Sequence, residues 1–203
     1  RSVTGTATLD LTPVNDAPTT TAVTLLALAE DGGARVITQA ELLANALDVE
    51  GDALVASGLV ITAGNGSLTD NLDGTWTYTP AADDDTGVSF GYTITDDGTT
   101  NGLADPRSVA GTATVDLTPV NDAPTTTPVT LAALAEDGVR ILTAAQLLAN
   151  ATDLEGDTLR VSGLTASSGS LVDHGAGTGT YTPAADDDTA VSFSYAITDD
   201  GTS

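Results

Sequence analysis

The acidic residues of this chain stand in short groups, and each group occurs twice. Glu30-Asp31 is answered by Glu136-Asp137, and Asp48-Val49-Glu50-Gly51-Asp52 by Asp153-Leu154-Glu155-Gly156-Asp157. Asp83-Asp84-Asp85 recurs as Asp186-Asp187-Asp188, and Asp96-Asp97-Gly98 as Asp199-Asp200-Gly201. A fifth motif, Pro13-Val14-Asn15-Asp16-Ala17-Pro18, returns as Pro119-Val120-Asn121-Asp122-Ala123-Pro124. Carboxylate and carboxamide oxygens from several such groups make the donor set of a hard cation, and Ca2+ takes roughly 6–8 oxygens. Other chemistry is less well served. Paired carboxylates such as Asp84 and Asp85 can hydrolyse glycosides, but that needs a pocket furnished with aromatic and basic groups, which are scarce here. Ser-His-Asp chemistry would rest on His174, the sole histidine. His174 lies in a Gly-rich turn where the first copy has Asn71, which is the setting of a surface residue. The chain therefore reads as non-enzymatic.

The charge balance narrows the partners. There are 29 acidic residues against five Arg, no Lys and one His, a net charge of −24. Nucleic acid and anionic membrane surfaces are excluded as partners, because both require basic groups. Cations are the natural counter-charge, and part of the charge serves solubility. A like-charged pair about 4 Å apart in water costs on the order of 1 kcal/mol, and more where water is excluded. Acidic loops that converge must therefore hold a cation, or else splay into solvent. There is no cysteine, hence no disulfide or thiolate chemistry. No apolar run reaches the roughly 18 residues of a membrane helix.

The elements that must position these groups are mostly strands. The copies stand 106, 105 and 103 residues apart along the chain, so the sequence is about two copies of one module. Each is roughly 100 residues, enough for an independent core. Ser89–Thr95, its twin Ser192–Thr198, and Thr75–Thr79 alternate large apolar with small or polar residues, the period of a half-buried strand. Val3–Leu11 and Val109–Leu117 alternate likewise. Asn71-Leu72-Asp73-Gly74 signals a hairpin turn. Thr38 with Glu41, and Thr143 with Gln146, have capping-box spacing and predict one short helical turn per copy. The aromatic residues, Trp76 included, read as core; an exposed Trp76 would instead be a platform for a sugar. Length differences between the copies fall at Gly32-Gly33 and at Ile61–Asn65, which are expected to be loops. The pattern predicts an all-β chain: two tandem antiparallel Greek-key β-sandwiches of immunoglobulin type, each with one short helical turn. In a sandwich the loops gather at two ends, where distant acidic motifs can meet.

The expected boundaries are 1–11, the last strand of a preceding repeat; 12–18, a linker; 19–117, the first repeat; 118–124, a second linker; and 125–203, a second repeat lacking its last strand. A seven-residue linker spans at most about 24 Å. It cannot carry residues 3–11 around a whole domain to complete the second repeat. The second repeat is thus expected to present an open edge, which residues 3–11 of a neighbouring molecule could fill head to tail.

The acidic motifs do not match an EF-hand, since Gly51 comes fourth in its loop rather than sixth. They resemble those of cadherin repeats across essentially the whole chain. Ala29-Glu30-Asp31-Gly32 is similar to the family's first-strand Glu motif, and Asp48-Val49-Glu50 to its Asp-x-Asp loop, with Glu50 and Glu155 in place of Asp. Ala82-Asp83-Asp84-Asp85 resembles its Leu-Asp-Arg-Glu motif without the Arg, and Asp96 its late Asp ligand. Val14–Pro18 resembles its linker, with Pro13 and Pro119 where that linker begins with Asp. The pattern is closest to bacterial cadherin-like repeats of large secreted adhesins, often of the RTX type. The resemblance implies Ca2+ between successive repeats. At the central junction the ligands would be Glu30, Asp83, Asp85, Asn121, Asp122, Asp153, Glu155 and Asp199. Upstream they would be Asn15, Asp16, Asp48, Glu50 and Asp96. It implies an extracellular location, with neighbouring repeats as partners and a role as a stiff spacer that projects a distal adhesive domain. The alternative is that the sandwich surface itself binds a sugar, an ice face or another cell.

Overall fold

The segments with period two form the sheets, except Val3–Leu11, an expected strand that pairs with nothing among the described residues. A computed structural model of the chain describes residues 1–201. It divides at Pro119/Val120, inside the expected second linker. The first unit contains β1 (Val23–Thr24), β2 (Leu28–Ala29), β3 (Arg35–Thr38), α1 (Gln39–Leu42), β4 (Val55–Ala63) and β5 (Ser67–Asp70). It continues with β6 (Thr75–Thr79), β7 (Val88–Thr95), β8 (Thr99–Thr100), β9 (Leu103–Ala104), β10 (Ser108–Val115) and β11 (Leu117–Thr118). One sheet has the order β1-β10-β7-β4, the other β3-β6-β5. Ile37, Leu42, Trp76 and Tyr78 meet Phe90, Tyr92, Ile94, Ala113 and Val115 in the core between them. Trp76 is buried there and offers no exposed ring.

Two ladders depart from the antiparallel expectation. β1 runs parallel to β10, and β2 parallel to β11. Parallel neighbours need a long crossover, and the rest of the unit supplies it, since these are its first and last strands. The length difference at Ile61–Asn65 meets expectation only in part. Gly64 and Asn65 lie outside any strand, but Ile61 and Ala63 lie within β4, and one of the two surplus residues is taken up there as a bulge against β7. Gly32-Gly33 does lie outside any strand.

The helical turns form as their caps dictate. Thr38 accepts a hydrogen bond from the Glu41 amide while the Glu41 carboxylate accepts one from the Thr38 amide. The Tyr92 hydroxyl donates to the Leu42 carbonyl at 2.7 Å, tying β7 to the end of α1. Tyr78 meets Phe90 edge to face at 5.4 Å.

The second unit repeats this plan with β12 (Thr125–Thr126), β13 (Arg140–Leu142), α2 (Ala144–Leu147), β14 (Ala151–Thr152), β15 (Arg160–Ala166), β16 (Ser170–Gly175), β17 (Thr178–Thr182) and β18 (Phe193–Thr198). Thr143 and Gln146 complete the same capping box. Tyr181 meets Phe193 at 5.1 Å, and the Tyr195 hydroxyl donates to the Leu147 carbonyl at 2.9 Å. Gly179 stands where the first unit has Trp76, and Leu164 and Leu171 close over it. Sheet order is β13-β17-β16, with β15-β18 as a separate pair. Residues 3–11 form no ladder, and Val3, Leu9 and Leu11 are exposed.

Candidate metal centre

In the first unit the linker lies docked rather than loose. Asn15 is only 3% exposed. Its backbone N–H donates to the Thr100 hydroxyl at 2.9 Å. Its side-chain amide donates to Asp96 Oδ1 at 2.9 Å and to the Asp105 carbonyl at 2.8 Å. With its hydrogens engaged, Asn15 Oδ1 is buried and has no donor.

Asp96 follows β7 and is oriented in the same manner. Its Oδ1 accepts from Asn15 and from the Gly98 and Arg107 amides, each at 3.0 Å. Its Oδ2 is buried without a donor. Asp48 opens the loop after α1. The Glu50 and Asp52 amides donate to its Oδ1 at 3.0 and 3.1 Å, folding the loop around the carboxylate, and its Oδ2 too is buried without a donor. Asp48, Glu50 and Asp52 bring carboxylate oxygens within 4.8 Å of one another. Asn15 Oδ1 and an Asp52 oxygen both crowd Gly98, where any side chain would collide with them. Glycine is required there for the backbone to approach so closely.

The electrostatics record the crowding. Burial, and then the charges of Asp48, Asp97 and Asp96, push the Asp52 carboxyl up from its ordinary value. Burial also opposes ionisation of Asp96, but the hydrogen bonds from Arg107, Gly98 and Asn15 outweigh it and hold its carboxyl below the ordinary value. Asp97 braces the loop by accepting from the Ala53 amide at 2.8 Å.

The second unit builds the same arrangement. The Asn121 amide donates to Asp199 Oδ1 at 3.1 Å, and so does the Gly201 amide. The Asp157 amide donates to Asp153 Oδ1 at 2.9 Å. Asn121 Oδ1 and Asp153 Oδ2 are buried without donors. Asp153, Glu155 and Asp157 bring oxygens within 4.8 Å of one another. The Asp122 amide faces Glu155 Oε2 at 3.4 Å. Asp157 is pushed up by burial and by Asp153, Asp200, Asp199 and Glu155. Asp199 is held down by the hydrogen bonds from Asn121 and Gly201.

A buried polar oxygen without a partner costs on the order of 1–3 kcal/mol. Such oxygens recur here at matched positions of both units, beside mutually repelling carboxylates. The donor set is all oxygen, without nitrogen or sulfur, which fits a hard cation such as Ca2+ and not a thiolate- or imidazole-bound metal.

Of the residues singled out in the sequence, the structure gathers Asn15, Asp48, Glu50 and Asp96 in one unit and Asn121, Asp153, Glu155 and Asp199 in the other. Asp16 is exposed. Glu30 is buried just after β2, its amide donating to the Thr118 carbonyl at 3.1 Å. Asp83 and Asp85 lie exposed in the turn after β6, Asp83 with a φ of 56°. Glu30, Asp83 and Asp85 do not belong to the Asp48 group. Asp52 and Asp157 belong to these groups and were not singled out. The signal was present: each closes a motif repeated in both copies.

A family model described as a cadherin-like domain matches residues 14–114 and 120–203. The chain belongs to the cadherin-like domain family. Both matched stretches of this cadherin-like chain take in their linker asparagine, Asn15 and Asn121. A search of curated proteins returned no match. Among solved structures, two forms of an endo-fucoidan hydrolase of glycoside hydrolase family 107, MfFcnA4, are similar at 23% and 20% identity. They cover 92% and 90% of the chain, with TM-scores of 0.35 and 0.34. A second such hydrolase, MfFcnA9, has 16% identity over 89% of the chain and a TM-score of 0.27. The cadherin-like chain spans 27%, 28% and 33% of the length of those three chains.

Proposed function

We propose that this chain is a pair of calcium-stiffened spacer repeats from the extender region of a large secreted bacterial adhesin of RTX type. It acts outside the cell and projects a distal adhesive domain in cell adhesion or biofilm formation. It catalyses nothing. One observation carries the reading: the same orphaned oxygens, on Asn15 and Asp48 and again on Asn121 and Asp153, beside a triple carboxylate in each unit. Ca2+ would be held by Asn15, Asp48, Glu50, Asp52 and Asp96, and by Asn121, Asp153, Glu155, Asp157 and Asp199. The ion would supply the positive charge that the carboxylates lack and fix each linker to its domain. Glu30, Asp83, Asp85, Asp16 and Asp122 are proposed to add ligands where successive repeats adjoin. Membership in the cadherin-like family supports an adhesion-type role. With Trp76 buried, the alternative of a sugar-binding face loses its aromatic platform.

Calcium titration followed by melting and by small-angle scattering tests the proposal. Free Ca2+ at about a hundred times its dissociation constant should add about 2.7 kcal/mol of stability per site, and scattering should narrow to a stiff rod. Melting that is indifferent to chelator, or a chain that stays flexible in calcium, refutes it.

A further inference from the structure

We propose that the β8–β9 hairpin is a strap that holds the linker on the first unit without help from a cation, and so positions Asn15 to receive one. The hairpin lies between Asp96 and β10, and its two-residue turn is Asn101-Gly102, with φ of 50° and 77°. Positive values at both positions make a type I′ turn, which Asn-Gly favours. Asn101, Gly102 and Leu103 are exposed, and no residue of the hairpin joins the core between the sheets. Its polar groups run to the linker instead.

The Asn101 amide donates to the Pro13 carbonyl at 3.1 Å. The Asn15 amide donates to the Thr100 hydroxyl at 2.9 Å, and the Asn15 side-chain amide to the Asp105 carbonyl at 2.8 Å. The direction of the bond at Thr100 is set from behind. The Asp105 carboxylate, ionised at neutral pH, can only accept. The Thr100 hydroxyl donates to it at 2.7 Å, which leaves the hydroxyl lone pairs for the Asn15 N–H. Arg107 donates to the same carboxylate oxygen at 2.9 Å. The Asp105 amide donates to the Gly98 carbonyl at 3.0 Å, which ties the base of the hairpin to the turn after Asp96. Every one of these bonds is made between the chain's own groups.

The strap also decides where Asn15 points. Its side-chain nitrogen has the Asp105 carbonyl on one side and Asp96 Oδ1, at 2.9 Å, on the other. Both are acceptors, so only the nitrogen can face them. Asn15 Oδ1 is thereby turned the opposite way, where it is buried without a donor. Gly98, whose carbonyl takes the Asp105 amide, is also the residue that Asn15 Oδ1 and an Asp52 oxygen crowd. Hairpin, linker and acidic loop thus meet at one glycine. A ligand fixed beforehand costs less ordering when its ion arrives. The strap does not depend on the calcium reading; its effect on affinity rests on that reading.

Hydrogen exchange followed by NMR on the whole chain tests the strap in chelator. The wild-type Asn15 amide should exchange at least about tenfold more slowly than in an unstructured peptide. Thr100→Val removes its acceptor and should abolish most of that protection. Gly102→Val should do the same by another route. Gly102 has no neighbour within 4 Å, so the new side chain acts only through the backbone, where a β-branched residue resists a φ of 77°. The amides of β10 should stay protected in both variants, showing that the unit is folded. Trp76, the sole Trp, lies in the core of the first unit. The calcium dependence of melting followed by its fluorescence should report about tenfold weaker binding in either variant. A wild-type Asn15 amide that exchanges freely in chelator, or protection kept in both variants, overturns the strap. Equal calcium responses in wild type and variants overturn its effect on affinity. If the amide results hold and calcium leaves wild-type melting unchanged, the strap stands and the calcium reading falls.

Discussion

At the residue scale, each site is an exercise in aiming oxygens. Hydrogen bonds use the amide of Asn15 and one oxygen each of Asp48 and Asp96, leaving the opposite oxygens bare. Asp52 has the reverse problem, being held among charges of its own sign. Its raised pKa means that the folded state binds a proton more tightly than the unfolded one. Stability contributed this way grows as pH falls toward the ordinary carboxylate range, and is absent at neutral pH. Asp52→Asn should therefore have opposite effects in two buffers at neutral pH. In chelator it should melt at or above the wild type, because a repulsion is gone. In calcium it should melt below the wild type, because a ligand is gone. Differential scanning calorimetry in both buffers distinguishes this from a merely structural role, which would lower both transitions. Asp157→Asn should behave alike in the second unit.

At the element scale, the two helical turns offer a comparison within one chain. α1 is closed by Thr38 and Glu41, and α2 by Thr143 and Gln146. Glu41 also pairs with Arg35 at 2.7 Å. Burial raises the Glu41 pKa, but the hydrogen bonds from Thr38 and Arg35 and the Arg35 charge overcome it and hold the group low. Its contribution is thus present above the ordinary carboxylate range and lost as pH falls through the lowered folded value. Thr38→Ala should cost about 1 kcal/mol, as the loss of a cap does. Glu41→Gln, which installs the pair α2 already uses, should cost less and flatten the acid limb of the stability curve. Urea denaturation between pH 3 and 7, at about the carboxylate pKa range, reads both.

At the scale of the whole molecule, the two units differ in how well their sheets are closed. β7 is flanked by β4 and β10, and its alternate side chains are buried; among the described residues β18 has one neighbour, and its alternate side chains are half-buried. Phe90→Ala should cost about 3–5 kcal/mol, the usual range for a buried aromatic. Phe193→Ala should cost less, since part of its surface already meets water. Denaturation of the wild type should then show two transitions, with the Phe193 variant moving the weaker one and the Phe90 variant the stronger.

The sequence by itself determined the period, the strands β6, β7, β10 and β18, the caps of both helical turns and the acidic motifs. These are local properties: alternation, capping and turn chemistry act between residues a few positions apart. Tertiary structure alone decided the rest. It paired β1 in parallel with β10, turned a length difference into a bulge in β4, and brought Asn15 to Asp96 across 81 residues. It also drew Asp52 and Asp157, which close the repeated motifs, in among the other carboxylates. Convergence depends on which loops the two sheets leave at one end, and pairing on which edge is open. No local pattern encodes either, because both depend on contacts between segments far apart in the chain.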